Sequence, residues 1–243
     1  MALPPGEAVG RPVDLLAAIC PGEAPVYSWS TVSSPVLVLG RLAVDPPIDR
    51  DAAAAEGVAV VRRSSGGGPV LWDADLVALD VVLPRGHPLA IDDVVAAYRW
   101  LGEAIADALR ALGVPGVEVI GVERARAARD RPGPAADACF GGLSPFEVLA
   151  GGRKAVGLSQ ARRRPGTLLQ AGLPLRLDAE RLARLMGRDD AFARGLAAAA
   201  TGLCELVPGL GTPDLVRAVD EAVSRRCGVE LRPAAVGGGR PEA

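Results

Sequence analysis

Apolar and polar positions change period several times along the chain. PVYSW (25–29) and PVLVLG (35–40) are short β-rich runs bounded by Pro, Ser and Gly, and they predict strands. DRDAAAAE (49–56) predicts a short alanine-rich helix with acidic residues near its start. VAVVRR (58–63) reads as a strand and SSGGGP (64–69) as a glycine-rich turn. VLW and LVALDVVLP continue as strand over 70–83, alternating around Asp80. Over 91–112 the period becomes helical: Val94, Val95, Tyr98, Leu101, Ile105, Leu109 and Leu112 share a face, Asp92 and Asp93 open it, and Gly113 follows its end.

VEVI (117–120) predicts a short strand. The charged, Pro- and Gly-bearing stretch GVERARAARDRPGPAAD (121–137) predicts an exposed, mobile loop. From Phe146 the period returns to two: FEVLA, a GG turn, RKAVGLSQARR, a PG turn, and TLLQAGLPLRL predict an antiparallel meander. Helical patterns follow at 179–186, 190–203 and 213–226. Strands and helices are partly segregated, so the expected class is α+β. One domain over 1–231 is expected, followed by a disordered tail, RPAAVGGGRPEA (232–243).

Composition adds limits. With 49% hydrophobic and 23% charged residues, the chain suits a globular fold with a substantial core. A net charge of −2 gives no electrostatic reason to expect nucleic acid or a membrane as partner. The first residues lack a basic segment and an apolar run, so no secretory signal is expected and the cytoplasm is the default compartment. Cys20, Cys139, Cys204 and Cys227 have no paired spacing, which argues against a disulfide framework or a zinc site. The one histidine, His87, lies in the turn-like PRGHPL. Of 27 basic residues, Lys154 is the one lysine; a GC-rich genome explains the arginine bias and leaves Lys154 as a candidate for a role needing a compact ammonium.

Three segments carry candidate chemistry. In RRSSGGGPVLWD (62–73), three glycines between strands expose backbone amides, while Arg62, Arg63, Ser64 and Ser65 add charge and hydroxyls; an ordinary hairpin turn explains the same pattern. In CFGGLSPFEVLAGGRK (139–154), Cys139 lies off any long periodic pattern, beside a glycine-rich turn. A thiolate needs a nearby cation, and a hairpin brings Lys154 toward the sulfur or toward a substrate carbonyl. The alternative for Cys139 is a small buried hydrophobe, which fits Cys20 and Cys204 well. In GLSQARRRPGTLLQAG (157–172), small residues with Gln160 and Gln170 on adjoining strands suit a narrow channel with a polar wall, and equally an ordinary sheet.

Together these segments resemble the lipoate–protein ligase and octanoyltransferase family, whose fold is shared with biotin–protein ligases. VAVVRRSSGGGPVLWD is similar to its RRxSGGGxVxHD motif, GGRKAVGLSQARRRPGTLLQAG to GxKxxGxxQxR…LxHG, and CFGGLSPFEV to the CFxxxSxYEV of the cysteine-dependent octanoyltransferases. The resemblance covers roughly residues 25–178, with Trp72 and Ala171 standing where the family has histidines and GRLAVD (40–45) where it has an Asn-bearing run. It implies mixed and antiparallel sheets flanked by helices, and a Cys139 thioester that passes an octanoyl or lipoyl group to a lysine of a lipoyl domain. It also implies that Lys154 contacts the acyl carbonyl. Substrate binding would fall to Arg62, Arg63, Ser64, Ser65, Gly66, Gly67, Gly68, Gly157, Ser159 and Gln160. Expected partners are the glycine cleavage H protein or a 2-oxoacid dehydrogenase E2, with acyl carrier protein as a donor. The transferase reading requires no cofactor. The alternatives are a lipoate–protein ligase, which would use ATP and Mg, and a non-catalytic family member that binds the acyl group or the lipoyl domain.

Overall fold

The computed structural model describes residues 2–41, 47–227 and 232–233. In chain order its elements are β1 (Ala2–Leu3), α1 (Pro5–Ala18), β2 (Val26–Val32), β3 (Val36–Leu39), α2 (Arg50–Ala55), β4 (Ala59–Arg62), β5 (Val70–Trp72), β6 (Leu76–Pro84), α3 (Arg99–Ala111) and β7 (Glu118–Val119). There follow α4 (Val122–Asp130), β8 (Val148–Ala150), β9 (Arg153–Arg162), β10 (Gly166–Pro174), α5 (Ala179–Leu185), α6 (Asp190–Ala199), α7 (Leu203–Leu206), α8 (Thr212–Cys227) and β11 (Arg232–Pro233). The fold is α+β. No helix among the described residues is long and apolar enough to cross a membrane.

The large sheet runs β1-β2-β6-β10-β9-β8-β7, with β11 also on β2; a small sheet runs β4-β3-β5. The meander pairs β9, β10 and β6 antiparallel, while β1 and β11 lie parallel to β2, so the large sheet is mixed. Alternation along β6 explains the layers. Val77, Leu79, Val81 and Leu83 face α3 and α8, packing on Leu101, Ile105, Leu109, Leu215 and Val219. On the other side, Leu76 joins a second core made by the small sheet, α5 and α6, which includes Val36, Val38, Val70, Trp72, Leu182 and Leu196. Three helix starts are fixed by Asp side chains: Asp49, Asp178 and Asp189 accept the backbone N–H of Ala52, Arg181 and Phe192. At the far edge Trp29 Nε1 donates to Asp220 Oδ1 at 2.7 Å, tying β2 to α8.

Cys20, expected as a small buried hydrophobe, is exposed. Two larger differences concern helices. Helix α3 begins at Arg99, after a 3₁₀ turn at Ala96–Tyr98, and not at 91. The carbonyls of Ile91, Asp92 and Val94 are taken by Arg162 and Gln160 from the neighbouring strand, and Asp93 Oδ1 accepts from Val95 and Ala96 N–H, so the chain turns there. Val94, at 55% exposed, is not part of the buried stripe. The second correction concerns 121–137, where a helix, α4, occupies Val122–Asp130. Ala125 is fully buried, Arg126 pairs with Glu123 one turn back, and Arg124 pairs with Glu118 of β7. The expectations for the tail beyond 233 and for most of the GRLAVD run lie outside the described residues.

Gly102 fixes how α3 sits on the β7–β8 side of the sheet. A Cβ there would stand 2.1 Å from the carbonyl oxygen of Phe146, which itself holds a left-handed φ of 65°. Helix propensity alone favours Ala over Gly by about 1 kcal/mol. The backbone collision outweighs it, so Gly102→Ala is expected to lower the urea midpoint; a raised midpoint would contradict this packing.

Candidate active site

The site begins with a floor of small residues. Registers across four strands align Gly157 of β9, Gly172 of β10, Ala78 of β6 and Ser30 of β2, and beside them Ser159, Gln170, Asp80 and Ser28. Paired residues project to the same side of a sheet, so the first row is a trough of the smallest side chains and the second is polar. Val38, Val70 and Trp72 of the small sheet, with Ala8 and Val9 of α1, roof this trough. The half-open slot, about 630 Å³ with the solvent at its mouth, contains Cys139, Phe140, Asp80, Ser159 and Gln170 in its walls. Trp72 is fixed there by donating Nε1–H to the Leu76 carbonyl at 2.9 Å.

Three side chains converge over the glycine floor. A Cβ on Gly157 would meet Phe140 Cζ at 3.5 Å, Lys154 Cε at 3.6 Å and Cys139 Sγ at 3.7 Å. Cys139 is half-buried and is placed by its own N–H, which donates to Pro69 O at 2.9 Å. Glycine is required at 68 by that close approach, since a Cβ would lie 2.0 Å from Asp137 O and 2.8 Å from Cys139 N. Arg63 organises the same loop from inside: its guanidinium donates to Gly66 O at 2.8 Å and Gly68 O at 3.2 Å. The same Nη2 lies 4.0 Å from Cys139 Sγ.

Lys154 is 2% exposed, and Nζ contacts Glu147 Oε2 at 2.7 Å, Cys139 O at 2.7 Å and Gly142 O at 2.9 Å. An ammonium has three hydrogens, and all three are used. Glu147, equally buried, also accepts Ser144 N–H at 2.7 Å and Leu158 N–H at 3.1 Å. The pair therefore clamps both ends of the Cys139–Gly142 turn to β9. Arg63, rather than Lys154, is the cation hydrogen-bonded at the sulfur.

Beyond Cys139 the slot opens into a wider space whose lining includes the charged Arg124, Arg129, Arg131, Glu147 and Lys154 beside Gly67 and Gly68. Arg63 and Cys139 border both spaces. Behind the slot wall, Ser65, which is 1% exposed, shares a 3.2 Å hydrogen bond with Ser159. Ser159 reaches Gln170 Oε1 at 3.4 Å, and Gln170 Nε2 donates to Asp80 Oδ1 at 2.7 Å. Burial pushes the Asp80 carboxyl up to about 7, against the opposing pull of the Gln170 hydrogen bond and the Arg11 charge.

Of the residues singled out in the sequence, Cys139, Lys154, Arg63, Gly67, Gly68, Gly157 and Ser159 come together around these two spaces, and Ser65 adjoins them through its bond to Ser159. Arg62, Ser64, Gly66 and Gln160 line neither. Arg62 donates to Gly40 O at 2.8 Å on the small sheet, and Gln160 donates to Val94 O. Gln160 is one residue out of phase: the partner of Gln170 across the strands is Ser159. His87 lies elsewhere, in a surface recess with Arg85 and Arg162 to Arg164, its Nδ1 accepting from Leu89 N–H at 3.2 Å. Gln170, read from the sequence as part of a polar channel wall, does line the slot, whereas Glu147 and Asp80 were not among the expected site residues. A carboxylate inside the apolar runs FEVLA and LVALDVVLP is the signal that could have found these two.

The lipoyl protein ligase A/B catalytic domain family matches residues 14–225. An octanoyltransferase LipM of Exiguobacterium sp. is 34% identical over 165 residues, 68% of this chain and 58% of that protein. The octanoyltransferase LipM of Moorella thermoacetica is 37% identical over 147 residues, 60% of this chain and 50% of its own. The chain thus matches little more than half the length of these curated relatives. Among solved structures, a chain from the bi-partite lipoate protein ligase and its E2 lipoyl domain of Thermoplasma acidophilum aligns with a TM-score of 0.73 at 18% identity, covering 95% of this chain and 82% of that one. Lipoate-protein ligase A bound with ATP aligns at 0.72 and 18% identity, covering 94% and 83%. These two establish the likeness of fold.

The buried acid gives a test of the geometry. Asp80 has a native pKa of about 7 against an ordinary 3.8, so between those values the native state holds a proton that the unfolded chain gives up. Its contribution to stability therefore falls as pH rises from about 4 to about 7 and is flat beyond. Asp80→Asn is expected to gain stability over the native protein as pH rises through that window, in urea titrations at matched pH. A difference that does not change with pH would refute the burial of this carboxyl.

Proposed function

We propose that this chain, which belongs to the lipoyl protein ligase A/B catalytic domain family, is an acyltransferase that carries an octanoyl or lipoyl group on Cys139 and delivers it to a lysine of a lipoyl domain. The observation that carries this reading is the position of Cys139 Sγ at the junction of an apolar slot and a wider space lined in part by charged side chains, with the Arg63 guanidinium 4.0 Å away. The slot suits the hydrocarbon chain, and the wider side suits the donor and then the acceptor. The likeness to proteins named octanoyltransferase supports the group transferred.

In the first step Cys139, reacting as the thiolate with the Arg63 guanidinium beside it, attacks the carbonyl carbon of a donor thioester. The carbon–sulfur bond to the donor breaks, and the donor thiol leaves with the proton that Cys139 gave up. In the second step the neutral amine of the acceptor lysine attacks the new thioester. An amide forms, and a proton from the attacking nitrogen returns to the Cys139 sulfur. No free histidine is needed, because the proton leaves and returns on sulfur.

Lys154 supports this chemistry first by position. Its ammonium fixes the Cys139 carbonyl and so the direction of Sγ; it meets an acyl carbonyl oxygen only by releasing one of its two backbone carbonyls. The donor we favour carries a phosphorylated arm, as acyl carrier protein does, since Arg124, Arg129 and Arg131 line the wider space. The acceptor class comprises the glycine cleavage H protein and 2-oxoacid dehydrogenase E2 lipoyl domains.

The test is transfer of octanoate from octanoyl acyl carrier protein to a purified lipoyl domain, followed by mass, with and without ATP. Native protein is expected to transfer without ATP, and Cys139→Ser to be inactive. Lys154→Arg should lose about 100-fold, because a planar guanidinium cannot occupy a three-bonded ammonium site without shifting the turn. Transfer that requires free lipoate and ATP and survives Cys139→Ser would replace this reading with a ligase. No transfer under either condition would favour a non-catalytic binder.

A further inference from the structure

The slot is apolar along most of its wall, yet it contains a carboxyl group. Asp80 is 2% exposed, in the middle of the large sheet, and it lines the slot together with Cys139. It lies two strands across and two residues along from Gly157, the glycine beneath Cys139, which places it roughly 12 Å away by ordinary strand spacings. That is about the reach of a medium-length acyl chain lying along the trough. The residues between are mostly small or apolar, with Gly172 and Ala78 below and Val38, Val70 and Trp72 above, until Gln170 is reached beside Asp80.

The polar character continues past Asp80. Its register partner on β2 is Ser28, 6% exposed, and Ser30 beside it is buried with an Oγ that has no hydrogen-bond partner. Gln170 Nε2 donates to Asp80 Oδ1, Ser159 holds Gln170, and Arg11 of α1 adds its charge. Neither step of the transfer uses Asp80. Its cost of burial in an otherwise apolar channel is unexplained by packing alone.

We propose that Asp80, held by Gln170, is the polar stop that sets the length of acyl chain the slot accepts. This rests on the reading of Cys139 as the acyl carrier. Each methylene up to the stop gains burial against the aliphatic wall. A longer chain must press methylenes against the carboxyl or displace Gln170 and leave a buried polar group without its partner. The slot therefore takes acyl groups of about eight carbons and discriminates against those of twelve.

The test measures rates of covalent adduct formation with octanoyl and dodecanoyl thioesters of N-acetylcysteamine, by intact mass, for the full chain. The same pair is measured as free octanoate and dodecanoate by calorimetric binding. Native protein should favour the shorter chain by at least about tenfold in rate, the scale of one buried polar group left unpaired. Asp80→Ala should bring the ratio close to one, while Asp80→Asn, which keeps a polar stop, should retain most of the preference. The ratio is taken within each variant, so a general loss of stability cancels. Should Asp80→Ala fail to fold, Gln170→Ala, which frees the carboxyl to move, should weaken the preference in the same direction.

Native protein that handles dodecanoyl as well as octanoyl overturns the proposal, as does a folded Asp80→Ala with the native ratio. Chain-length preference in binding without any adduct on Cys139 would remove the transferase reading and leave the stop in place.

Discussion

A lysine and a glutamate buried together in the middle of a site must satisfy each other completely or destabilise the fold. Removing one partner of such a pair typically costs about 3–5 kcal/mol, because the other is left charged in an apolar interior. Lys154 and Glu147 meet this demand: the ammonium has three acceptors and the carboxylate takes the ammonium and two backbone N–H groups. The partners they recruit are all in the segment that bears the nucleophile or in the strand beneath it. Thus the same electrostatic requirement that closes the core also fixes where the Cys139 sulfur points. Arginine, the basic residue this chain uses everywhere else, has neither the size nor the shape for three convergent bonds.

Around that clamp, two backbone features make the space. The glycine loop wraps Arg63, whose guanidinium binds loop carbonyls and then reaches the sulfur. The trough depends on a row of Gly, Gly and Ala in register across β9, β10 and β6. Any larger side chain in that row would fill the channel. The roof comes from a separate small sheet, so the slot lies at the contact of two sheets, a place where an apolar ligand can be enclosed without breaking the main hydrogen-bond ladder.

Much of this was readable from one sequence where the information is local. The meander is announced by two-residue alternation and by GG and PG turns, and β8, β9 and β10 fall where the pattern puts them. The lone lysine was visible by composition. What was not legible is decided at long range. Helix α3 starts late because Arg162 and Gln160, some seventy residues away, take the carbonyls of 91–94. Helix α4 is too charged to show an apolar stripe, and forms around one buried alanine and its ion pairs. Gln160 and Gln170 were both expected in a channel wall, and only Gln170 faces the trough, because strand register pairs it with Ser159 and not with Gln160. The pairing of Glu147 with Lys154 follows from a hairpin with a bulge, whose geometry no single-residue pattern records.

The central claim is that the acyl group rests on the Cys139 sulfur. Peptide mapping after incubation with an octanoyl thioester, in the absence of ATP, tests it most directly. The account predicts a single octanoyl modification on the peptide containing Cys139, removed by neutral hydroxylamine. Octanoylation at Cys20 or Cys204 instead, or no modification without ATP, would contradict it.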